Sequence, residues 1–182
     1  SDNGPEPLTK ESLAKPFRGK KWSSLEGGTR VPCILSWPGI LPAGREIDAM
    51  ISAMDLLPTL AHVCRIDLAK RSPHFVPIDG VNVWGTLLGQ ATKHPRNDLL
   101  YWHGSNGFEA IRVGEWKLFP DRRRANLKGT GPALYHLVKD IEEKNDLSQQ
   151  YPRRLKSMQA LAEQRLASIR SKSIPLGKAE AD

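Results

Sequence analysis

Asp2 and Asn3 stand side by side near the start of the chain, a carboxylate and an amide carbonyl followed by Gly4. Adjacent hard oxygen donors suit calcium or magnesium, whereas zinc takes nitrogen and sulfur. Lys21 follows after a loop, and an ammonium on a flexible stem is a point charge for an anion. Gly27 and Gly28 then allow a sharp bend ahead of an apolar run at residues 31–37. A cation, an ammonium and a bend together describe a site for an oxyanion ester. The same residues also have plain readings, since Asp-Asn-Gly is common turn chemistry and most lysines are solvated.

The series extends along the chain. After Ser1-Asp2-Asn3-Gly4 come Arg18-Gly19-Lys20-Lys21-Trp22-Ser23, Glu26-Gly27-Gly28, Arg30-Val31-Pro32 and Trp37-Pro38-Gly39. Then follow Asp55-Leu56-Leu57-Pro58-Thr59-Leu60, Asp79-Gly80-Val81, Ile111-Arg112, Gly114, Trp116-Lys117-Leu118, Leu134-Tyr135, Leu137 and Glu143-Lys144-Asn145-Asp146-Leu147. In this order the motifs resemble the later part of a type I, formylglycine-dependent sulfatase of the alkaline-phosphatase-like superfamily. The resemblance implies an α/β fold: the end of a mixed-sheet catalytic domain over residues 1–89, and a small antiparallel α+β subdomain with a covering helix over 90–182. It implies that Asp2 and Asn3 are metal ligands, giving half of a calcium shell whose other half comes from a missing N-terminal part. Counting back from Glu26-Gly27-Gly28 puts Lys21, and not Lys20, on the family's sulfate-binding lysine, a catalytic and substrate-binding role. His103 ends a strand-like stretch where such subdomains lean over the pocket, so it is a candidate substrate contact. The family's nucleophile is a formylglycine made from the Cys of Cys-x-Pro-x-Arg, and that motif does not occur here. The expectation is a C-terminal portion, inactive alone, of an enzyme acting on a sulfated small molecule or glycan. By the same resemblance that enzyme is periplasmic, secreted or lysosomal.

The chain has 182 residues with a formal charge of +7 and a pI near 9.6, which favours anionic partners without choosing among them. No nucleic-acid motif accompanies the charge, and Arg122-Arg123-Arg124 is too short to imply one; it reads as a solvated loop between strands. No run is long enough to cross a membrane and no signal peptide is present. Cys33 and Cys64 lack metal or redox spacing and lie among apolar residues, so they read as buried free thiols. The five histidines, His62, His74, His94, His103 and His136, show no paired ligand spacing.

Elements follow from periodicity. Residues 31–37, apolar at successive positions and closed by Pro38-Gly39, predict a strand buried on both faces, with a second strand over 47–54. Asp55 predicts an N-cap, after which Leu56, Leu57, Leu60, Val63 and Cys64 share one helical face. A loop spans 67–82 and a short helix 84–88 ends at Gly89. Beyond it, 99–102 is strand-like, and strands over 108–113 and 116–119 flank Gly114-Glu115 as a type II′ hairpin turn. A further strand covers 132–138 and a polar turn 140–148. Leu155, Met158, Leu161, Ala162, Leu166 and Ile169 then form a helical stripe opened by Pro152; this stripe, Trp102 and Trp116 read as core. The tail from Ser171 reads as frayed. Two rival readings stand beside the sulfatase: a phosphonate or phosphodiester hydrolase of the same superfamily, and a non-catalytic remnant that binds anionic glycans.

Overall fold

A four-stranded sheet in the second half of the chain organises the architecture. A computed structural model describes residues 2–6, 14–71, 78–104 and 107–171. Strands β1 (Asp98–His103), β2 (Gly107–Val113), β3 (Trp116–Phe119) and β4 (Ala133–His136) form a sheet in the order β1-β2-β3-β4. The β2–β3 and β3–β4 pairs are antiparallel. Gly114 has φ 55° while Glu115 has none of the positive φ values, as a type II′ turn requires. The turn sets the register Val113↔Trp116, Arg112↔Lys117 and Ile111↔Leu118, which continues as Lys117↔Tyr135 and Leu118↔Leu134.

Because side chains alternate, that register sorts them into two rows. Ile111, Leu118 and Leu134 line one face, where Met158 and Ala162 of the covering helix close a fully buried cluster with Leu155 and Leu161 at its margin. The helix runs Pro152–Ser171 and packs on β2 and β3. The expected stripe is therefore the buried seam, although Ile169 near its end is exposed. Arg112, Lys117 and Tyr135 form the opposite row. Trp116 packs at the edge of the cluster, whereas Trp102, expected in the core, is exposed.

The chain divides into two compact units, Ser1–Val31 with Leu100–Asp182, and Pro32–Leu99. The first holds the sheet's packed core and α1 (Glu26–Thr29). The second contains α2 (Leu56–Val63), α3 (Leu68–Arg71) within the expected loop, and α4 (Trp84–Leu88), which ends at left-handed Gly89 with φ 76°. The anchor of this unit is Asp55. Its fully buried carboxylate accepts from the N–H of Ser52 at 2.8 Å, the N–H of Val81 at 2.9 Å and the Arg96 guanidinium. Burial raises the Asp55 pKa, but the Arg96 hydrogen bond and the two backbone donors outweigh it and hold it below the ordinary value.

Several expectations fail in this second unit. Residues 31–37 form no strand, and Ile34 is 91 % exposed with Leu35 and Trp37 also exposed. An apolar run becomes a strand only when neighbours complete its backbone ladder, and none of the described residues pairs with it. Residues 47–52 are likewise irregular and lead into a 3-10 turn, Ala53–Asp55. Helix α2 forms where expected, but Leu56, Leu57 and Leu60 are exposed while Thr59 and Ala61 are buried. Thr59 turns inward because its hydroxyl bonds the Asp55 carbonyl at 2.6 Å and receives the Val83 N–H at 3.0 Å. Cys33 and Cys64 are exposed, since they lie on these same uncovered segments. His74 and the tail beyond Ser171 lie outside the described residues.

Candidate functional site

Three glycines bring the ends of the N-terminal stretch together. The Gly4 N–H donates to the Gly28 carbonyl at 3.0 Å, and the Lys21 N–H donates to the Pro5 carbonyl at 3.0 Å. A Cβ on Gly4 would stand 2.0 Å from the Gly27 oxygen, and one on Gly28 would stand 2.1 Å from the Ser23 oxygen and 2.5 Å from that of Lys20. Only glycine allows backbones to approach this closely. The Asp2-Asn3 pair, immediately before Gly4, is thereby fixed to the turn that follows Lys21. Asn3 Nδ2 donates to Asp2 Oδ2 at 2.8 Å, which holds the two side chains side by side. Lys21 Nζ lies 3.6 Å from Glu6 Oε2, with both groups partly exposed, and 5.5 Å from the Trp22 ring centroid.

The turn is itself clasped to the sheet by Glu26, which sequence reasoning takes as turn architecture only. Its Oε1 accepts from Lys117 Nζ at 2.8 Å and the Tyr101 hydroxyl at 3.2 Å, and its Oε2 from Arg112 Nη1 at 3.2 Å. The Glu26 N–H donates in turn to Glu143 Oε2 at 2.7 Å, and Glu143 Oε1 lies 3.1 Å from Lys117 Nζ. Lys117 is fully buried and stands over the Tyr101 ring at 4.1 Å. One ammonium thus serves two buried carboxylates. Burial pushes the Glu26 carboxyl up, but Lys117, Arg112 and Tyr101 outweigh it and hold it below the usual range. For Glu143 burial wins over Lys117 and the Glu26 N–H, with the Glu26 charge adding to it, and the carboxyl sits above the usual range. Burial and the Glu26 charge together push the Tyr101 hydroxyl well up.

Of the expected site residues, Asp2 and Asn3 touch each other, and the Gly4–Gly28 and Lys21–Pro5 backbone bonds tie the segment that follows them to the stretch that carries Lys21. His103 ends β1, as expected of its position, and its side chain is half-buried. As a donor set, an adjacent carboxylate and amide carbonyl fit a hard divalent cation. Among the described residues no group of three or more His, Cys, Asp or Glu could hold a metal ion. The arginine run is not uniformly solvated. Arg122 turns inward onto the Gly131 and Pro132 carbonyls and Asp146, while Arg123 pairs with Asp121 at the surface. The Glu26–Lys117–Glu143 clasp escaped sequence reasoning because 91 residues separate Glu26 from Lys117. The one local signal was a lysine on a strand whose neighbours, Trp116 and Leu118, are apolar.

Comparison with known proteins bears on the same residues. The family model described as Sulfatase matches residues 1–66. The chain is 27 % identical over 183 residues to the N-acetylgalactosamine-6-O-sulfatase of Bacteroides thetaiotaomicron, covering 90 % of this chain and 34 % of that protein. Human arylsulfatase A is 32 % identical over 123 residues, covering 64 % of this chain and 23 % of its own length. In three dimensions, a Pseudoalteromonas sulfatase structure superposes with a TM-score of 0.79 at 24 % identity, over 97 % of this chain and 37 % of that one. The chain therefore spans about a third or less of the length of these proteins. Among the described residues no helix is long and apolar enough to cross a membrane. The family match falls on the segment that carries Asp2, Asn3 and Lys21; the chain is similar to sulfatases over most of its length and shares their alkaline-phosphatase-like fold.

Proposed function

We propose that this chain is the C-terminal portion of a formylglycine-dependent sulfatase, supplying Asp2 and Asn3 to a calcium ion and Lys21 to the sulfate of an ester substrate. Residues 1–89 would end its catalytic domain and residues 90–182 form its C-terminal subdomain. The observation that supports the reading is the pair of backbone bonds, Gly4 to Gly28 and Lys21 to Pro5, that ties the segment after Asp2 and Asn3 to the stretch carrying Lys21. The relatives' names support a sulfated substrate, and that of the Bacteroides protein supports a sugar sulfate. When bound, the metal supplies positive charge to sulfate oxygens, and the formylglycine, outside this chain, supplies the nucleophile.

The chain's own residues do the remaining work. Lys21 presents a compact charge to the sulfate group; as the ester bond breaks its electron pair moves onto the bridging oxygen, and a fixed ammonium beside it stabilises the charge developing there. Its present partner, Glu6, is at 3.6 Å and partly exposed, so the pair is weak and exchangeable for an anion. The clasp fixes the Glu26 backbone that follows Lys21, and His103 is a further substrate contact. The test is turnover of sulfate esters against phosphodiesters by the full-length protein and its Lys21→Ala variant. Sulfate-ester turnover that collapses in Lys21→Ala is expected. Preferred phosphodiester turnover, or a silent Lys21→Ala, overturns the reading.

A further inference from the structure

Trp22 takes no part in the chemistry above, yet its conformation is unusual. Its φ is 69°, a left-handed value at which the Cβ of a bulky residue crowds the backbone and glycine is the usual occupant. The side chain is 73 % exposed, so burial does not compensate the strain. The indole stands beside the Lys21 ammonium, 5.5 Å from its ring centroid, and the Glu6 carboxylate lies 3.6 Å from the same ammonium. Strained residues of this kind persist where surrounding structure over-determines them, and they cluster at ligand sites.

We propose that Trp22 is a specificity-determining residue, its exposed indole forming a stacking plate for the pyranose ring of a sugar sulfate whose sulfate rests on Lys21. This rests on the reading of Lys21 as the sulfate-binding lysine. A pyranose has an apolar C–H face bordered by hydroxyls. An aromatic plate with a carboxylate acceptor close by matches both features, and the indole offers large apolar area at little conformational cost. An aryl sulfate would use the plate but has no hydroxyls for Glu6.

The experiment compares full-length wild type with Trp22→Gly, Trp22→Phe and Lys21→Ala. Substrates are monosaccharide sulfates, N-acetylgalactosamine 6-sulfate among them, and an aryl sulfate; inorganic sulfate is the competitive inhibitor. Trp22→Gly removes the indole and the left-handed strain together, so a packing role and a binding role diverge. The expected result is a KM for sugar sulfates raised about tenfold with kcat little changed. Inhibition by inorganic sulfate should be unaltered and the thermal midpoint unchanged or higher, with Trp22→Phe restoring most of the affinity. A lowered midpoint in Trp22→Gly, an unchanged KM for sugar sulfates, or a larger loss on the aryl sulfate overturns the plate. Unaltered sulfate inhibition in Lys21→Ala instead removes the site reading, and the plate with it.

Discussion

At the residue scale, Lys21 and Lys117 show how one side-chain type serves opposite ends. Lys21 is half-buried beside a weak partner, whereas Lys117 has no exposed surface and two carboxylates within 3.1 Å. For Lys21→Ala in the full-length protein, kcat and kcat/KM should both fall by roughly 10²–10³-fold, the scale of a lost oxyanion donor. Lys21→Arg should restore only part, because a planar fork replaces a point charge. Steady-state kinetics decide, and a crippled Lys20→Ala beside a silent Lys21→Ala would move the sulfate site by one residue. Lys117→Met should cost about 3–5 kcal/mol in urea unfolding, since it leaves buried Glu143 without a counter-charge and Glu26 with Arg112 alone. Glu143→Gln keeps an acceptor for the Glu26 N–H and should cost about 1 kcal/mol or less.

The two carboxylates act oppositely on stability against pH. Glu26 is held below its ordinary 4.5, so its contribution is present above that pH and is lost as pH falls through its folded value. Glu143 is held above 4.5, so the folded state favours its protonated form, and stability declines as pH rises from there through its folded value. Unfolding free energies measured upward from that pH should show this decline in wild type and not in Glu143→Gln. Equal slopes in the two proteins would falsify the assignment.

At the scale of elements, the Glu26-Gly27-Gly28 turn is tightly constrained by close backbone contacts. In Gly28→Ala the new methyl group meets two backbone oxygens, at 2.1 and 2.5 Å, and neither can swing aside. The expected loss is about 3 kcal/mol, the upper end for overpacking, with weakened sulfate inhibition because Lys20 and Ser23 flank Lys21. Gly104→Ala, with nothing within 4 Å, should be neutral within about 0.5 kcal/mol. In the sheet, Leu118 sits between Ile111 and Leu134 under Met158, and Leu118→Ala should cost about 2–5 kcal/mol by thermal unfolding. A loss below about 1 kcal/mol would mean that the helix collapses onto the gap.

At the scale of the molecule, the unit Pro32–Leu99 leaves an apolar surface uncovered. Ile34, Leu35, Trp37, Leu56, Leu57 and Leu60 are all exposed. An apolar surface of this kind marks an association site. The isolated chain should therefore self-associate at micromolar concentration and lack sulfatase activity. Leu57→Lys with Ile34→Lys should shift it toward monomer in sedimentation velocity. A monomeric wild-type chain would contradict the first expectation, and aryl sulfate turnover by the chain alone the second.

The sequence by itself determined what depends on neighbours a few residues apart. The Gly114-Glu115 turn set the hairpin register, the stripe from Leu155 to Ala162 set the buried face of the long helix, and the motif order carried the resemblance to sulfatases. Tertiary structure decided what depends on partners far along the chain. Lys117 became a buried counter-ion because β-pairing set its row opposite Glu26, 91 residues away. Residues 31–37 had a buried strand's composition without the ladder to make one, because hydrophobicity specifies burial but not which backbone will supply the hydrogen bonds.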